Sequence, residues 1–202
     1  MMNRIWVAVG LLLILAAKSP KPVHAQKVSG FEWLVISDHA HGVSAIAFSP
    51  NAKYMASASL DKTVKIWQMP KGKLKRTLTG HIEGVTAVAF SPNSKLLASA
   101  SSDRTIRVWA VHDGKMLYSL EGHQRGVTSV AFSKDGSVLA SGSLDASVKL
   151  WSVKKGRAIA TLVGHRGRVT DIDFNPKAKL IASASADGTT KIWSLTKGKD
   201  LY

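Results

Sequence analysis

The chain has 202 residues, 45% apolar and 20% charged, which suits one packed domain or one array of repeats and excludes global disorder. A formal charge of +15 predicts anionic partners or electrostatic steering and carries no information on fold. With no cysteine, the chain has no disulfide, no thiolate metal site, no cysteine nucleophile and no lipidated cysteine, while the redox compartment stays open.

Residues 1–25 differ from the rest. "MMNR" gives a positive start, Ile5 to Ala17 is a continuous apolar run, and Val23-His24-Ala25 is a small-x-small pattern. This is the layout of a signal peptide cut after Ala25, leaving 26–202 as the mature chain. As a helix the run spans about 20 Å, short of the roughly 30 Å hydrocarbon core, so an uncleaved membrane anchor is the second reading. The single Arg4 and the lack of amphipathic spacing speak against a transit peptide. The expected location is secreted or periplasmic, or anchored with the rest of the chain outside the cytoplasm.

"FEWLVIS" (Phe31 to Ser37) reads as one strand standing ahead of a repeat. From Asp38 onward the chain repeats itself: His39, His81, His123 and His165 are each 42 residues apart, and Asp61, Asp103, Asp145 and Asp187 keep the same step. So do Trp67, Trp109, Trp151 and Trp193, which gives units of about 39–80, 81–122, 123–164 and 165–202. Such a period governs the whole fold. Each unit holds the His, Ser and Asp of a hydrolase triad, but an enzyme needs one triad, and four in register point to a structural device.

In the second unit, "VTAVAF" (Val85 to Phe90), "LLASAS" (Leu96 to Ser101), "TIRVW" (Thr105 to Trp109) and "MLYSL" (Met116 to Leu120) are short strands separated by turns. No stretch has an amphipathic helical period, so the fold class is all-β. Both parities of the first strand are apolar or small: Val85, Ala87 and Ala89 on one side, Val88 and Phe90 on the other. Both faces of each sheet must therefore be covered, and only the neighbouring copies can do so. Four-stranded sheets standing face to face around an axis make a β-propeller, with the alanines at the narrow inner edge. "KGKDLY" at the end reads as the start of a further outer strand.

Through its Gly-His pairs, "SASxD" turns and terminal Trp residues, the stretch from 38 to about 198 resembles the WD-repeat β-propeller family. The resemblance implies four structural tetrads: His39, Ser57, Asp61, Trp67; His81, Ser99, Asp103, Trp109; His123, Ser141, Asp145, Trp151; and His165, Ser183, Asp187, Trp193. In each, Asp and Ser bond the His and the indole N–H closes the chain. Buried groups of this kind each cost about 1–3 kcal/mol when unpaired, so they satisfy one another. The chain departs from the family pattern where Gln68, Ala110, Ser152 and Ser194 follow the Trp, and where Asp38 replaces the first Gly. Rings in this family usually have about seven blades, and propellers about four to eight. The expectation is a homodimer closing as an eight-bladed ring, each Phe31–Ser37 strand pairing with the other chain's last blade. A tight four-blade ring or a truncated gene are the alternatives.

The resemblance also implies where partners bind: on loops after the His and around the Asp, which carry His41, Lys62, Glu83, Arg104, Gln124, Arg125, Arg166 and Arg168. Arg suits carboxylates and phosphates through its planar fork. The opposite face carries Lys53, Lys71, Lys73, Lys95, Lys115, Lys154, Lys155, Arg157, Lys177, Lys179, Lys197 and Lys199, either as a solvated surface or as an attractor for polyanions or lipid. Lys65, Arg107, Lys149 and Lys191 lie in third strands, where their stems pack and their heads reach water. Asp171 and Asp173, where the second unit has Ala87 and Ala89, read as a cation site or as partners of Arg168. The resulting expectation is an exported, non-catalytic protein-interaction scaffold without metal or cofactor, whose partner is an acidic protein or peptide. The alternative is a module for anionic polymers or phospholipid surfaces. Nucleic acid is disfavoured by the signal-peptide layout and by basic loops lacking interleaved aromatics.

Overall fold

The computed structural model describes residues 24–28, 31–176 and 179–195, and the chain divides into two units, 1–38 and 39–202. In the first, β1 (His24–Val28) and β2 (Phe31–Val35) pair as an antiparallel hairpin, with Val28 opposite Phe31. The expected strand at Phe31 thus exists, and within this chain its partner is β1. The apolar run and most of the signal-peptide layout lie outside the described residues, and the predicted cut after Ala25 falls inside β1. Among the described residues no helix is long and apolar enough to cross a membrane.

The second unit is four antiparallel sheets in sequence. The first blade is β3 (Val43–Phe48), β4 (Tyr54–Ser59), β5 (Val64–Gln68) and β6 (Lys73–Leu78), in that spatial order. The second is β7 (Val85–Phe90), β8 (Leu96–Ser101), β9 (Ile106–Ala110) and β10 (Met116–Leu120). The third is β11 (Val127–Phe132), β12 (Val138–Ser143), β13 (Ser147–Ser152) and β14 (Arg157–Val163). The fourth has three strands among the described residues: β15 (Val169–Phe174), β16 (Leu180–Ser185) and β17 (Thr190–Ser194). "KGKDLY" lies outside the described residues. The architecture is therefore all-β, four propeller blades of the WD type.

The third strand of the second blade starts one residue later than its apolar run suggests, because the N–H and hydroxyl of Thr105 are both taken by the Asp103 carboxylate. Register repeats from blade to blade. Ile46 faces Ser57, Val88 faces Ser99, Val130 faces Ser141 and Ile172 faces Ser183. Each innermost strand carries a bulge at the same place, between Val43 and Ala45, Val85 and Ala87, Val127 and Ser129, and Val169 and Asp171. A bulge re-aims the side chain it contains. The hydroxyls of Ser44, Thr86 and Thr128 consequently leave their own sheets and donate to the carbonyls of Val85, Val127 and Val169 in the next blade.

The core lies between blades, as the double-sided apolar strands require. Ala56, Ala58, Val64 and Ile66 of the first blade meet Val85, Val88, Phe90, Leu97 and Trp109 of the second. Ala98, Ala100, Ile106 and Val108 meet Val127, Val130, Leu139 and Trp151. Ala140, Val148 and Leu150 meet Val169, Ile172, Phe174, Ile181 and Trp193. The innermost strands of all four blades line an open central groove of about 570 Å³, where Ala45, Ala87, Ala89 and Ala131 leave the room.

Candidate functional site

The repeated polar residues form one network per blade. The Nδ1–H groups of His39, His81, His123 and His165 donate to Asp61, Asp103, Asp145 and Asp187 at 2.8, 2.8, 2.9 and 3.0 Å. On the other side of each ring, Nε2 lies 2.7, 2.9, 2.7 and 2.8 Å from Oγ of Ser57, Ser99, Ser141 and Ser183. The indole N–H of Trp67, Trp109, Trp151 and Trp193 donates to the same Oγ atoms at 2.9, 2.9, 2.9 and 2.8 Å. An ionised carboxylate only accepts, so the ring proton sits on Nδ1 and the serine hydroxyl donates to Nε2. The Ser–His–Asp spacing is that of a hydrolase triad. Ser99 and Ser141 are nevertheless fully enclosed, Ser57 and Ser183 nearly so, and each Oγ already holds an indole donor. No substrate carbonyl can reach them.

A fifth member was missed in the sequence. Thr63, Thr105, Ser147 and Thr189 donate both hydroxyl and backbone N–H to the second carboxylate oxygen, with hydroxyl distances of 2.6, 2.7, 2.6 and 2.6 Å. Their signal was present: a Thr or Ser two residues after every Asp. These bonds set the charges. Burial works to raise the Asp145 carboxyl, but the Ser147 hydroxyl, the Gln124 N–H and His123 outweigh it and hold it at about 2. Asp103 is held below its ordinary range in the same way, by Thr105 and His81 against burial. Burial pushes His81 and His123 down, with their Asp partners opposing, so both rings are neutral at pH 7.

The network extends into the mouth loops only through main-chain groups. The N–H groups after each His, in Ala40, Ile82, Gln124 and Arg166, donate to the Asp carboxylates at 2.9, 3.1, 2.9 and 2.8 Å. The second serine of each "SAS" or "SGS" holds the next carbonyl: Ser59 to His41, Ser101 to Glu83, Ser143 to Arg125, Ser185 to Gly167. Lys62 and Arg104 donate their N–H to Ser59 and Ser101, and the Arg168 carbonyl accepts from Ala186. All eight expected contact residues thus have backbones tied into their own blades and side chains exposed to solvent. Lys62, Arg104, Arg125, Arg166 and Arg168 make no side-chain hydrogen bond or ion pair among the described residues.

The same surface also shows apolar residues that were not singled out from sequence. Leu60 is 56% exposed, Ile82 71% and Leu144 36%, each within two residues of a basic or acidic loop position. Asp171 and Asp173 do not pair with Arg168. Asp171 accepts from the Ser129 hydroxyl at 2.8 Å, and each carboxylate caps the N–H of the following residue. Both line the central groove. The third-strand cations stay with the sheets. Lys65 is buried, and the Lys149 ammonium donates to Thr161 at 2.9 Å. On the opposite face Lys53, Lys71, Lys73, Lys95, Lys115, Lys154, Lys155, Arg157 and Lys179 are exposed, while Lys177, Lys197 and Lys199 lie outside the described residues.

A family model described as "WD domain, G-beta repeat" matches four times, at residues 32–68, 72–110, 114–152 and 156–194, most of the chain. The first match begins in β2 and the other three in the turns just before β6, β10 and β14, and each ends one residue past the Trp, so the family's unit starts a strand earlier than the His-to-His unit. The chain is 41% identical over 64 residues to the ribosome biogenesis protein BOP1 homolog of Drosophila virilis, and 39% over 64 residues to that of Drosophila willistoni. It is 39% identical over 61 residues to the U3 small nucleolar RNA-associated protein 13 of Saccharomyces cerevisiae. These matches cover 32%, 32% and 29% of this chain and 8% of each relative. The names of these relatives point to ribosome biogenesis and a small nucleolar RNA. That overturns the expectation of a secreted, periplasmic or externally anchored protein, which rested on the signal-peptide layout of residues 1–25.

Proposed function

We propose that this chain, which belongs to the WD domain, G-beta repeat family, is a non-catalytic scaffold whose mouth loops hold an acidic segment of a protein partner. Chains built from such repeats serve protein–protein interaction. The observation that carries the finer reading is the pairing of fixed loop backbones with unpaired cationic side chains. Arg125, Arg166 and Arg168 present forks for carboxylates, and their loops need little further ordering on binding. Leu60, Ile82 and Leu144 add apolar contact between the charges, so the preferred segment carries apolar side chains among its acids. The names of the relatives make ribosome biogenesis the process in which to seek that partner first.

The test is a titration of the full chain with a labelled peptide of alternating acidic and leucine residues, and with its amide counterpart, followed by fluorescence anisotropy. The acidic peptide is expected to bind at least about 10-fold more tightly, and the triple variant Arg125→Ala, Arg166→Ala, Arg168→Ala to lose that advantage. Equal binding by parent and triple variant sinks the mouth reading. A second reading, an anionic polymer held by the exposed lysines of the opposite face, draws on the RNA-associated name of one relative. It predicts binding of a single-stranded RNA homopolymer that falls linearly on a log–log salt plot and is lost with Lys95→Glu and Lys115→Glu.

A further inference from the structure

The three joints between blades are built alike. One blade gives the face of its middle strands, the next gives its innermost strand and Trp, and a hydroxyl crosses to a valine carbonyl. Thr86 donates to Val127 at 2.6 Å and Thr128 to Val169 at 2.7 Å. At the outer rim the first two joints close again. Arg76 reaches the Asp113 carbonyl at 3.3 Å and the Tyr118 hydroxyl reaches Lys154 at 3.2 Å.

Each end of the array holds half of such a joint. Val85, Val88 and Phe90 are 0%, 8% and 8% exposed against the preceding blade, while their counterparts Val43, Ile46 and Phe48 are 54%, 60% and 60% exposed. At the other end, Ile192 is 37% exposed where Ile66, Val108 and Leu150 are 0%, 1% and 4%. Ala184 is half-buried where Ala58 and Ala100 are fully enclosed. The Thr170 hydroxyl turns back to the Ala184 carbonyl of its own sheet at 3.3 Å. The two exposed faces are opposite halves of one interface that this chain already makes three times. A contiguous exposed face of Val, Ile and Phe needs a partner.

We propose that the partner is a second copy of this chain: the fourth blade of each copy seats on the first blade of the other, and two such joints close an eight-bladed two-fold ring. Each joint is head-to-tail, and a head-to-tail contact terminates only when its rotation closes. In the new joint the Thr170 hydroxyl turns to the Val43 carbonyl of the second copy, as Thr128 does to Val169. Ile46 and Phe48 fill the place that Val130 and Phe132 fill in the third blade. Thr190 stands where Val64, Ile106 and Val148 stand in the other blades, so this joint is less apolar than the three within the chain. The ring therefore forms and separates with concentration. This proposal does not depend on the mouth reading, and its test does not touch the mouth arginines.

Light scattering on the full chain at tens of micromolar is expected to give twice the 21.7 kDa chain mass, falling toward one copy on dilution. Phe48→Asp is expected to give one copy at all concentrations, with an unchanged far-ultraviolet spectrum showing that the blades still fold. Ile82→Asp, more exposed but on a mouth loop, keeps two copies. Because the chain has no cysteine, Val43→Cys and Thr170→Cys report the geometry directly. Mixed together they are expected to cross-link through a short bismaleimide, and neither alone should do so. One copy for the parent chain, two copies persisting in Phe48→Asp, cross-linking of Val43→Cys with itself, or a mass that grows beyond two copies would each overturn the ring.

Discussion

Replacing Ser99 by Ala removes a single oxygen from a site with no solvent, so its effect isolates the hydrogen bonds of one network. Two groups lose their partner: the Trp109 indole N–H, held at 2.9 Å, and the His81 Nε2, also at 2.9 Å. Each is buried, and each stranded group costs about 1–3 kcal/mol, giving roughly 2–6 kcal/mol in all. A domain's whole stability is about 5–15 kcal/mol. With a urea slope of about 2 kcal/mol per molar, the unfolding midpoint falls by roughly 1–3 M. Urea unfolding followed by tryptophan fluorescence measures this. Trp109→Phe supplies the control, because once the indole donor is gone Ser99→Ala strands only the imidazole and its cost drops by about 1 kcal/mol or more. A loss under about 0.5 kcal/mol, or the same loss in both backgrounds, would refute the account of these residues as mutual partners.

Stability should fall as pH drops below neutrality. His81 and His123 are depressed by burial, so the unfolded chain takes up their protons first, from its ordinary value near 6.5 downward. Asp145 and Asp103 act in the same sense lower down. Their contribution is complete above the ordinary carboxylate value of about 3.9, and for Asp145 it is lost as pH falls through about 2. Urea midpoints between pH 4 and 8 should rise to a plateau near 7, and a midpoint highest at pH 5 contradicts this. Gly142→Ala should destabilise by about 1–3 kcal/mol, although the equivalent positions are Ala58, Ala100 and Ala184. Its Cβ would stand 2.5 Å from the Val169 Cγ1 and 3.2 Å from its Cβ, so a thermal or urea midpoint above the parent's would show the joint is looser than drawn. Arg104 holds a left-handed φ of 72° where the fourth blade has Gly188 at 81°. Arg104→Gly should therefore leave the stability from urea unfolding unchanged or raise it by up to about 1 kcal/mol, while weakening the acidic peptide in the anisotropy titration. A clear fall in midpoint would mean the arginine serves the blade.

The strands were legible because their period is long and exact in its spacing, and because apolar residues occupy both parities in Val85–Phe90. The tetrads were legible for the same reason. What the sequence did not reveal were groups whose role is visible only once the chain closes on itself. Thr63 and its three counterparts look like ordinary turn residues until the Asp carboxylate is seen to need a second set of donors. Ser44, Thr86 and Thr128 look like polar interruptions of strands, and only the bulge explains why they point into the next blade. The pairing of Asp173 or Asp171 with Arg168 was expected from opposite charge and short separation. Alternation along the strand and the Ser129 hydroxyl decided otherwise. The layout of residues 1–25 suggested export from a positive start, an apolar run and a small-x-small pattern, and the names of the relatives point elsewhere.

The four mouth loops differ in sequence while their bonds to the blades do not. After the His come Ala40-His41, Ile82-Glu83, Gln124-Arg125 and Arg166-Gly167, yet in every case an N–H goes to the Asp and a carbonyl to the second serine. Because the buried network grips only the main chain, any side chain at these positions leaves it intact. One polar apparatus thus closes the serines to chemistry and holds the loop backbones still, and it leaves the outward side chains free to differ. Arginine at 125 and 166, exposed and without side-chain partners among the described residues, then has no part in holding the blades together, which is why its replacement should alter binding and not the unfolding midpoint. A rigid ledge with exchangeable side chains suits recognition of a partner better than turnover of a substrate.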